Sequence, residues 1–490
     1  MISLEREGLT SRTLKTAIYS LAIFALLYVI YLQDVKLLLV VLAAGALIFI
    51  SKDINMLIYT CIFTMVLGQV AKLGIGGGDG SRGIPLLIND ILVLYILALW
   101  LIRELLGRKP LYGSKAIKYV LPFLVCMIFS ICIGSIKYNY SYKDIIVAVS
   151  YIFRWVGYSG LCLVIADSVR ELKHVRKIVN LVLAAIVLLC CLGFLQVIIF
   201  PRMEDLVNRF PFIARFGYDP HEGRLVSTFL DPNLLGAFLN LSMGLIVGLY
   251  IYDKKRRNIY ILSGFLVLAA IFFTFSRGTL LSLIMGILWL TVFKYPKLLI
   301  PLSGAMVASI PLFTRVWDRV FELFDSSAGY ALNLGLFTIY LEPSAYARII
   351  SYQECIAVIS KNLLFGVGYN AYGAAKSIEL SSEVLAISSY YGADSTLLLI
   401  LATTGIVGLS VYLYNIVSAL YLASSSLRNS SDDIIKAVSL GMIFGYITLL
   451  SSSQTTNALL YPFILQLLNI LLGLLIAGRR IETTKTEVAQ

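Results

Sequence analysis

Ile178–Phe200 reads IVNLVLAAIVLLCCLGFLQVIIF, a run without one charged side chain. A helix needs roughly 20 apolar residues to cross the hydrocarbon core of a bilayer, and this run supplies them. Its apolar residues do not alternate with polar ones, so it is no barrel strand, and a helix is the remaining way to satisfy its backbone in lipid. The same texture extends on both sides. Of the 490 residues, 59% are hydrophobic and 14% charged, whereas soluble domains carry about a quarter charged residues.

Apolar runs predict spans at 16–33, 35–50, 54–71, 84–106, 116–135, 144–166, 176–199, 232–251, 258–275, 277–294, 297–314, 394–422, 433–453 and 458–477. The expected fold is an all-α polytopic membrane protein with about 12–14 transmembrane helices. The 394–422 run is long and must tilt or project beyond the bilayer. The first apolar run leads straight into the next without an A-x-A cleavage site, unlike a leader peptide. One multispanning domain is expected over 1–477, followed by a cytoplasmic tail at 478–490.

Lys and Arg set the orientation. With the N-terminus in the cytoplasm, most of the 40 Lys and Arg fall on inside segments. Arg6, Arg12 and Lys15 lead, then Arg103–Lys118, Arg170–Lys177 and Lys254–Arg257, and finally Arg479, Arg480 and Lys485. The protein is thus expected in the cytoplasmic (inner) membrane with both termini inside. The net charge of +12 expresses this bias and calls for no nucleic-acid partner. Six of the 7 cysteines fall inside predicted spans and only Cys355 outside, so no disulfide framework is expected. His174 and His221 are far apart and too few for a zinc site.

Two long loops, 200–231 and about 315–393, break the apolar pattern and face outward together. The first ends in Arg215…Arg224…Asp231-Pro-Asn233. Asp before Pro reads as a helix start with Asp as N-cap, and the arginines can snorkel to the interface. In the second, 333–340 is apolar and suits the membrane surface. Pro343-Ser344 opens a helix over 345–362 with Ser344 as N-cap, and Ile349, Ile356, Ile359 and Leu363 recur on one apolar face. Such a helix fits an interfacial position. Asp394-Ser395-Thr396 opens the next span, where capping is the plain reading. Arg154 and Arg277 lie in or between spans, where a charge is functional by default. Asp90 is a structural partner for Arg154 that requires no substrate.

Five pieces occur in order: Arg224…Thr228…Pro232-Asn233…Gly236; Ser276-Arg277-Gly278; Arg348; Asn362-Leu-Leu-Phe-Gly366-Val-Gly368; and Asp394-Ser…Gly405-Ile-Val-Gly408. In order and rough spacing they resemble the O-antigen ligase and polymerase superfamily over about residues 145–475. The resemblance implies a GT-C-like frame whose large extracytoplasmic loop carries amphipathic helices. It implies a glycosyltransferase with no cofactor and no metal. The donor would be a polyprenyl-diphosphate-linked oligosaccharide, used on the outer face of the membrane. The ligases carry His-Asn where this chain has Asp394-Ser395, and the capsule and exopolysaccharide polymerases look more like this chain. Polymerisation onto a lipid-linked repeat unit is therefore the expected reaction, with transfer to another acceptor, as in the ligases, as the alternative. Membrane lipids are expected partners, and the family adds a chain-length regulator.

The chemistry of the loops points the same way. A departing diphosphate gathers negative charge, and guanidinium forks suit phosphate oxygens. Arg348 and Arg224 are the expected diphosphate ligands, supported by Arg215 and Arg277, and Arg154, Glu354 and Asn233 are further substrate-binding candidates. Asp394, at the family's His position, is the expected general base, with Glu354 and Asp231 behind it. Asn233 is expected to shape the helix start. The competing classes are a flippase or transporter of lipid-linked sugars and an envelope scaffold. The first would carry related halves and mid-membrane charge, and the second has no use for arginine-rich loops.

Overall fold

The computed structural model describes residues 50–75, 84–107, 112–210, 223–296, 330–333, 338–341, 343–380 and 393–489. The chain forms two compact units, Met1–Thr60 and Cys61–Gln490. Of the first, residues 50–60 are described, including the start of α1 (Ile54–Thr64). The candidate site lies wholly in the second.

Among the described residues, eight helices are long and apolar enough to cross a membrane. They are Ala116–Tyr138, Tyr142–Ser168, Leu172–Ile199, Pro232–Tyr252, Lys254–Phe273, Thr396–Asn429, Asp433–Ser452 and Pro462–Thr484. The protein is a multi-pass, mostly α-helical membrane protein. Three expected spans take other forms. At 54–71, α1 gives way to a 3-10 turn, Met65–Ala71, in which Gly68 has φ +54. At 84–106, a strand precedes α2 (Ile88–Gly107), and the helix carries Asp90, Arg103 and Glu104. At 277–294, α9 (Arg277–Phe293) has 17 residues, or about 25 Å, shorter than the hydrocarbon core. The expected spans 16–33, 297–314 and nearly all of 35–50 lie outside the described residues.

The remaining long helices are α3 (Leu121–Tyr138), α4 (Tyr142–Ser168), α5 (Leu172–Ile199), α7 (Pro232–Tyr252), α8 (Arg257–Phe273), α12 (Thr396–Asn429), α13 (Asp433–Ser452) and α14 (Pro462–Ala489). α14 continues as helix through most of the expected tail. The short helices are α6 (Met203–Arg209), α10 (Pro343–Lys361) and α11 (Tyr372–Glu379). Two small antiparallel ladders modify the all-α expectation. β1 (Lys72–Ile75) pairs with β2 (Ile84–Leu87), and β3 (Tyr330–Asn333) pairs with β4 (Thr338–Leu341). The second ladder falls where a membrane-lying apolar segment was expected.

Small residues let the central helices close on one another, as helices in lipid do. A Cβ on Gly248 of α7 would sit 2.2 Å from the Ala437 carbonyl oxygen of α13. One on Gly441 of α13 would sit 2.7 Å from the Leu245 Cα of α7. At one end of the bundle, the termini of the helices are tied together by basic and acidic groups. Arg176 pairs with Asp253 at 3.2 Å, Arg480 donates to the Val169 carbonyl at 2.6 Å, and Glu482 accepts from Ser430, Ser431 and Asp432. The opposite end, where α7, α12 and α14 begin, holds the candidate site.

α12 is broken at Gly405, whose φ is +69. The loop after α10 fills the break. The N–H groups of Val367 and Gly368 donate to the carbonyls of Ala402 and Thr403, each at 2.9 Å, and Ile406 N–H donates to Leu363 O at 2.8 Å. A broken helix survives in a membrane only where protein satisfies its freed backbone, and residues 363–368 do so here.

Candidate functional site

A cavity of about 650 Å³ opens where α4, α7, α10, α12 and α14 meet. Its charged lining is Arg154, Asp231, Arg348 and Asp394. Each is placed by local chain chemistry.

Ser395, and not Asp394, caps α12: its hydroxyl accepts from the Leu398 N–H at 3.4 Å. Asp394 is thereby released from capping and lines the cavity. Its own N–H donates to the Ser351 hydroxyl of α10 at 3.2 Å. Burial raises the Asp394 carboxyl above the ordinary carboxylate range, and Arg348 and Lys376 pull it back.

α10 runs close to its expected bounds. Ser351, Glu354, Cys355 and Val358 face inward, and the Cys355 thiol donates to Leu398 O at 3.5 Å. Of the apolar stripe expected at the membrane surface, Ile356 and Leu363 are exposed and Ile359 is buried. This docks α10 on α12 and turns Arg348, one turn before Ser351, into the cavity. The Arg348 guanidinium makes no hydrogen bond or ion pair among the described residues.

Arg154 grips Asp90 from its Nε at 3.0 Å and a terminal nitrogen at 2.6 Å, both on one carboxylate oxygen. Asp90 also accepts from the Tyr158 hydroxyl at 2.9 Å and the Leu87 N–H at 2.9 Å. The pairing expected from sequence is present, and its arginine also lines the cavity. Beside it a buried amide network joins Asn89 to Gln466 at 2.5 Å and Gln466 to Cys61 O at 2.8 Å.

Asp231 caps α7, accepting from the N–H groups of Asn233 and Leu234 at 2.7 and 3.0 Å. Asn233 also lines the cavity, and its side-chain oxygen accepts from the Ser276 hydroxyl at 2.7 Å. Ser276 in turn caps α9. The Asn233 side chain thus links the starts of α7 and α9, while Asp231 caps α7.

Other sequence candidates stand elsewhere. Arg224 is buried and its Nε donates to Thr274 O at 2.8 Å; it does not line the cavity. It fastens the segment before α7 to the end of α8. Glu354 is buried in an ion pair with Lys376 at 2.7 Å, which pins α11 to α10. Arg277, half-buried at the start of α9, is not in the lining. Arg215 lies outside the described residues.

Sequence reasoning passed over Tyr151, Tyr369, Asn370 and Asn457, which also line the cavity. A signal existed for Asn457: Ser451–Asn457 is a wholly polar run between two apolar spans. Asn370 had none, because its place follows from the loop that fills the α12 break. Among the described residues, no group of three His, Cys, Asp or Glu could hold a metal ion.

Three helices, α7, α12 and α14, begin at this cavity, and helix N-termini carry partial positive charge. With two guanidiniums they form a surface suited to an anion, facing the Asp394 carboxylate as proton acceptor, while Asp231, the other carboxylate of the lining, is engaged in capping α7.

Residues 262–413 match the family model described as O-Antigen ligase. The resemblance read from the sequence is borne out over this stretch, which is similar to the O-antigen ligase family. The stretch contains Arg277, Arg348, Asp394 and the Gly366–Gly405 interlock, whereas Arg154, Arg224, Asp231 and Asn457 lie outside it. No curated protein matches the chain.

Proposed function

We propose that the protein transfers glycan from a polyprenyl-diphosphate-linked donor to an acceptor hydroxyl at the outer face of the cytoplasmic membrane. One observation carries this reading: Arg348 and Arg154 share a cavity with Asp394 at the convergence of three helix N-termini, beside and within the stretch similar to the O-antigen ligase family. The arginines and helix ends hold the diphosphate and stabilise the charge that grows as it leaves. Asp394 takes the proton of the attacking hydroxyl. The hydroxyl oxygen bonds to the anomeric carbon, the bond from that carbon to the phosphate oxygen breaks, and the lipid diphosphate departs. A single displacement of this kind inverts the anomeric centre.

The orientation belongs to the same reading. The Lys and Arg bias puts the end holding Arg176, Arg256 and Arg480 in the cytoplasm and the cavity outside. Arg224 becomes a brace for the site in place of a diphosphate ligand.

The family description supports a ligase, with glycan passed to an acceptor other than another donor lipid. A second reading, polymerisation onto a lipid-linked repeat unit, is favoured by Asp394-Ser395 standing where the ligases carry His-Asn. Purified protein reconstituted with lipid-linked glycan separates them. A ladder of longer lipid-linked products from that substrate alone indicates polymerase. Transfer only after a second acceptor is added indicates ligase. Translocation of the lipid without transfer would overturn both in favour of a transporter.

A further inference from the structure

The charged groups occupy only part of the cavity; the remaining wall is uncharged, amide-bearing and aromatic. Asn457 is the best-defined member. Its Nδ2 donates to Ala393 O at 2.8 Å, directly beside Asp394. That bond fixes the amide, since reversing it would set two oxygens against each other. Its Oδ1 is then buried with no hydrogen-bond partner among the described residues, in a residue that lines the cavity. A buried acceptor without a partner costs about 1–3 kcal/mol and is unusual in a native structure.

Asn370 is the second member. It holds φ +57, a left-handed conformation that only a few residue types tolerate. The backbone on either side is held: Tyr369 N–H donates to the Ser130 hydroxyl at 3.1 Å, and Ala371 N–H donates to Gly368 O at 3.0 Å. The carboxamide lines the cavity without a hydrogen bond among the described residues. Strained backbone of this sort clusters where a side chain is held for a ligand. Tyr369 and Trp155, both more than nine-tenths buried, supply aromatic surface beside it.

Amide groups that both donate and accept, beside aromatic rings, match a neutral polyhydroxylated ring. A phosphate would gain nothing from the Asn457 oxygen, which repels it, and a lipid tail would leave that oxygen unpaired. We propose that Asn457 and Asn370 form a subsite for the sugar of the lipid-linked glycan, beside Asp394. This rests on the glycosyl-transfer reading and specifies where the glycan of the bound lipid sits. The tie from Asn457 to Ala393 sets the subsite beside the candidate base. A cavity of about 650 Å³ is within the usual range for small-molecule pockets and leaves room for a ring next to a diphosphate.

The test compares two probes on purified protein in nanodiscs: bare polyprenyl diphosphate, and lipid-linked glycan extracted from the producing cell. Wild-type protein is expected to bind the glycan-bearing lipid more tightly than the bare one. Asn370→Gly is the principal variant, because glycine accepts the positive φ and so removes the side chain without strain. Asn457→Ala is the second, with thermal melting as a control. Both should bind the bare lipid within about twofold of wild type. Both should lose about tenfold of the advantage that the glycan confers, near the upper end for one hydrogen bond. If N370G and N457A keep the full advantage, or if wild type shows none, the subsite is wrong while the diphosphate reading stands. If wild type does not bind the bare lipid, the glycosyl-transfer reading itself fails.

Discussion

The hydroxyl of Ser351 on α10 accepts the main-chain N–H of Asp394 at 3.2 Å, so the helix that carries Arg348 is fastened to the residue that Arg348 opposes. A phosphate-binding cation and a proton acceptor on separate elements keep their spacing only if those elements are tied together. Cys355, one turn further along α10, repeats the tie to Leu398 O. Arg348, Ser351 and Cys355 thus follow helical spacing on the face toward α12. Ser351→Ala is expected to leave the protein folded and to reduce turnover several-fold, since position matters steeply for reacting groups. Turnover equal to wild type would show that the tie is incidental.

Asp394→Asn keeps the shape and removes the basicity. Ser395 makes the cap, so helix stability should be unchanged in a thermal melt. Transfer should fall by about 10²–10⁴-fold, the usual worth of a general base. In wild type the acidic limb of the pH–rate profile should lie above the ordinary carboxylate value near 4, because burial outweighs the two opposing cations. A base must be ionised, so activity is lost as pH falls through this raised value and is present above it. An acidic limb at or below the ordinary value would assign the base to another group.

Arg348→Ala should weaken binding of bare polyprenyl diphosphate by about tenfold or more, the scale of a charge-assisted hydrogen bond. It also removes one of the two cations that restrain the Asp394 carboxyl. Its residual activity should therefore show an acidic limb displaced to higher pH. Arg348→Lys keeps charge without the planar fork and should recover the pH limb better than the affinity. An unshifted limb in R348A would separate Arg348 from Asp394 in function.

Several features were legible in the sequence because they are local. The apolar runs gave eight spanning helices, Asp231-Pro-Asn233 gave a capped helix start, and Asp90 gave a partner for Arg154. Asp394 and Arg348 were singled out by the ordered motifs, and they meet. What escaped depends on contacts distant in sequence. Arg224 and Thr274 are separated by 50 positions, so nothing local distinguished a brace from a ligand. Glu354 was a candidate base until Lys376, 22 positions away, occupied its carboxylate. The inward face of α10 was not read, because contact with α12 selects Ser351, Glu354, Cys355 and Val358 and not an apolar stripe. Asn457 serves the cavity only because its amide reaches Ala393, 64 residues away.

The Asp90–Arg154 pair should behave as a buried structural pair and as part of the site at once. The side chains are 2% and 12% exposed. Arg154→Ala leaves the buried Asp90 side chain with the Tyr158 hydroxyl and the Leu87 N–H as its donors among the described residues, and should cost about 3–5 kcal/mol of stability. Adding Asp90→Asn should restore much of that loss, because no buried charge remains. Transfer activity should not return with it, since the cavity still lacks the guanidinium. Thermal melts in detergent and activity in proteoliposomes read the two effects apart. Equal melting of R154A and wild type would remove the structural role, and recovered activity in the double variant would remove the catalytic one.

The glycine pair Gly366 and Gly405 should be the most sensitive packing element near the site. Each has φ +69, where a side chain costs about 1–2 kcal/mol. Each also abuts the other's segment. A Cβ on Gly405 would lie 2.1 Å from Leu364 O, and one on Gly366 would lie 2.4 Å from the Thr403 carbonyl carbon. Either Gly→Ala change must push the 363–368 loop out of the α12 break and leave Ala402 O and Thr403 O without donors inside a spanning helix. Loss of Tyr369 and Asn370 from the cavity wall follows, since the same loop carries them. Both variants should therefore lower the melting temperature by several degrees and abolish transfer together. Gly264→Ala is the control: Gly264 in α8 does not hold a positive φ, and an added Cβ would meet only Ile246 Cγ2, at 3.4 Å. It should be tolerated better than either. If G405A kept both its melting temperature and its activity, the interlock could not be what holds the site together.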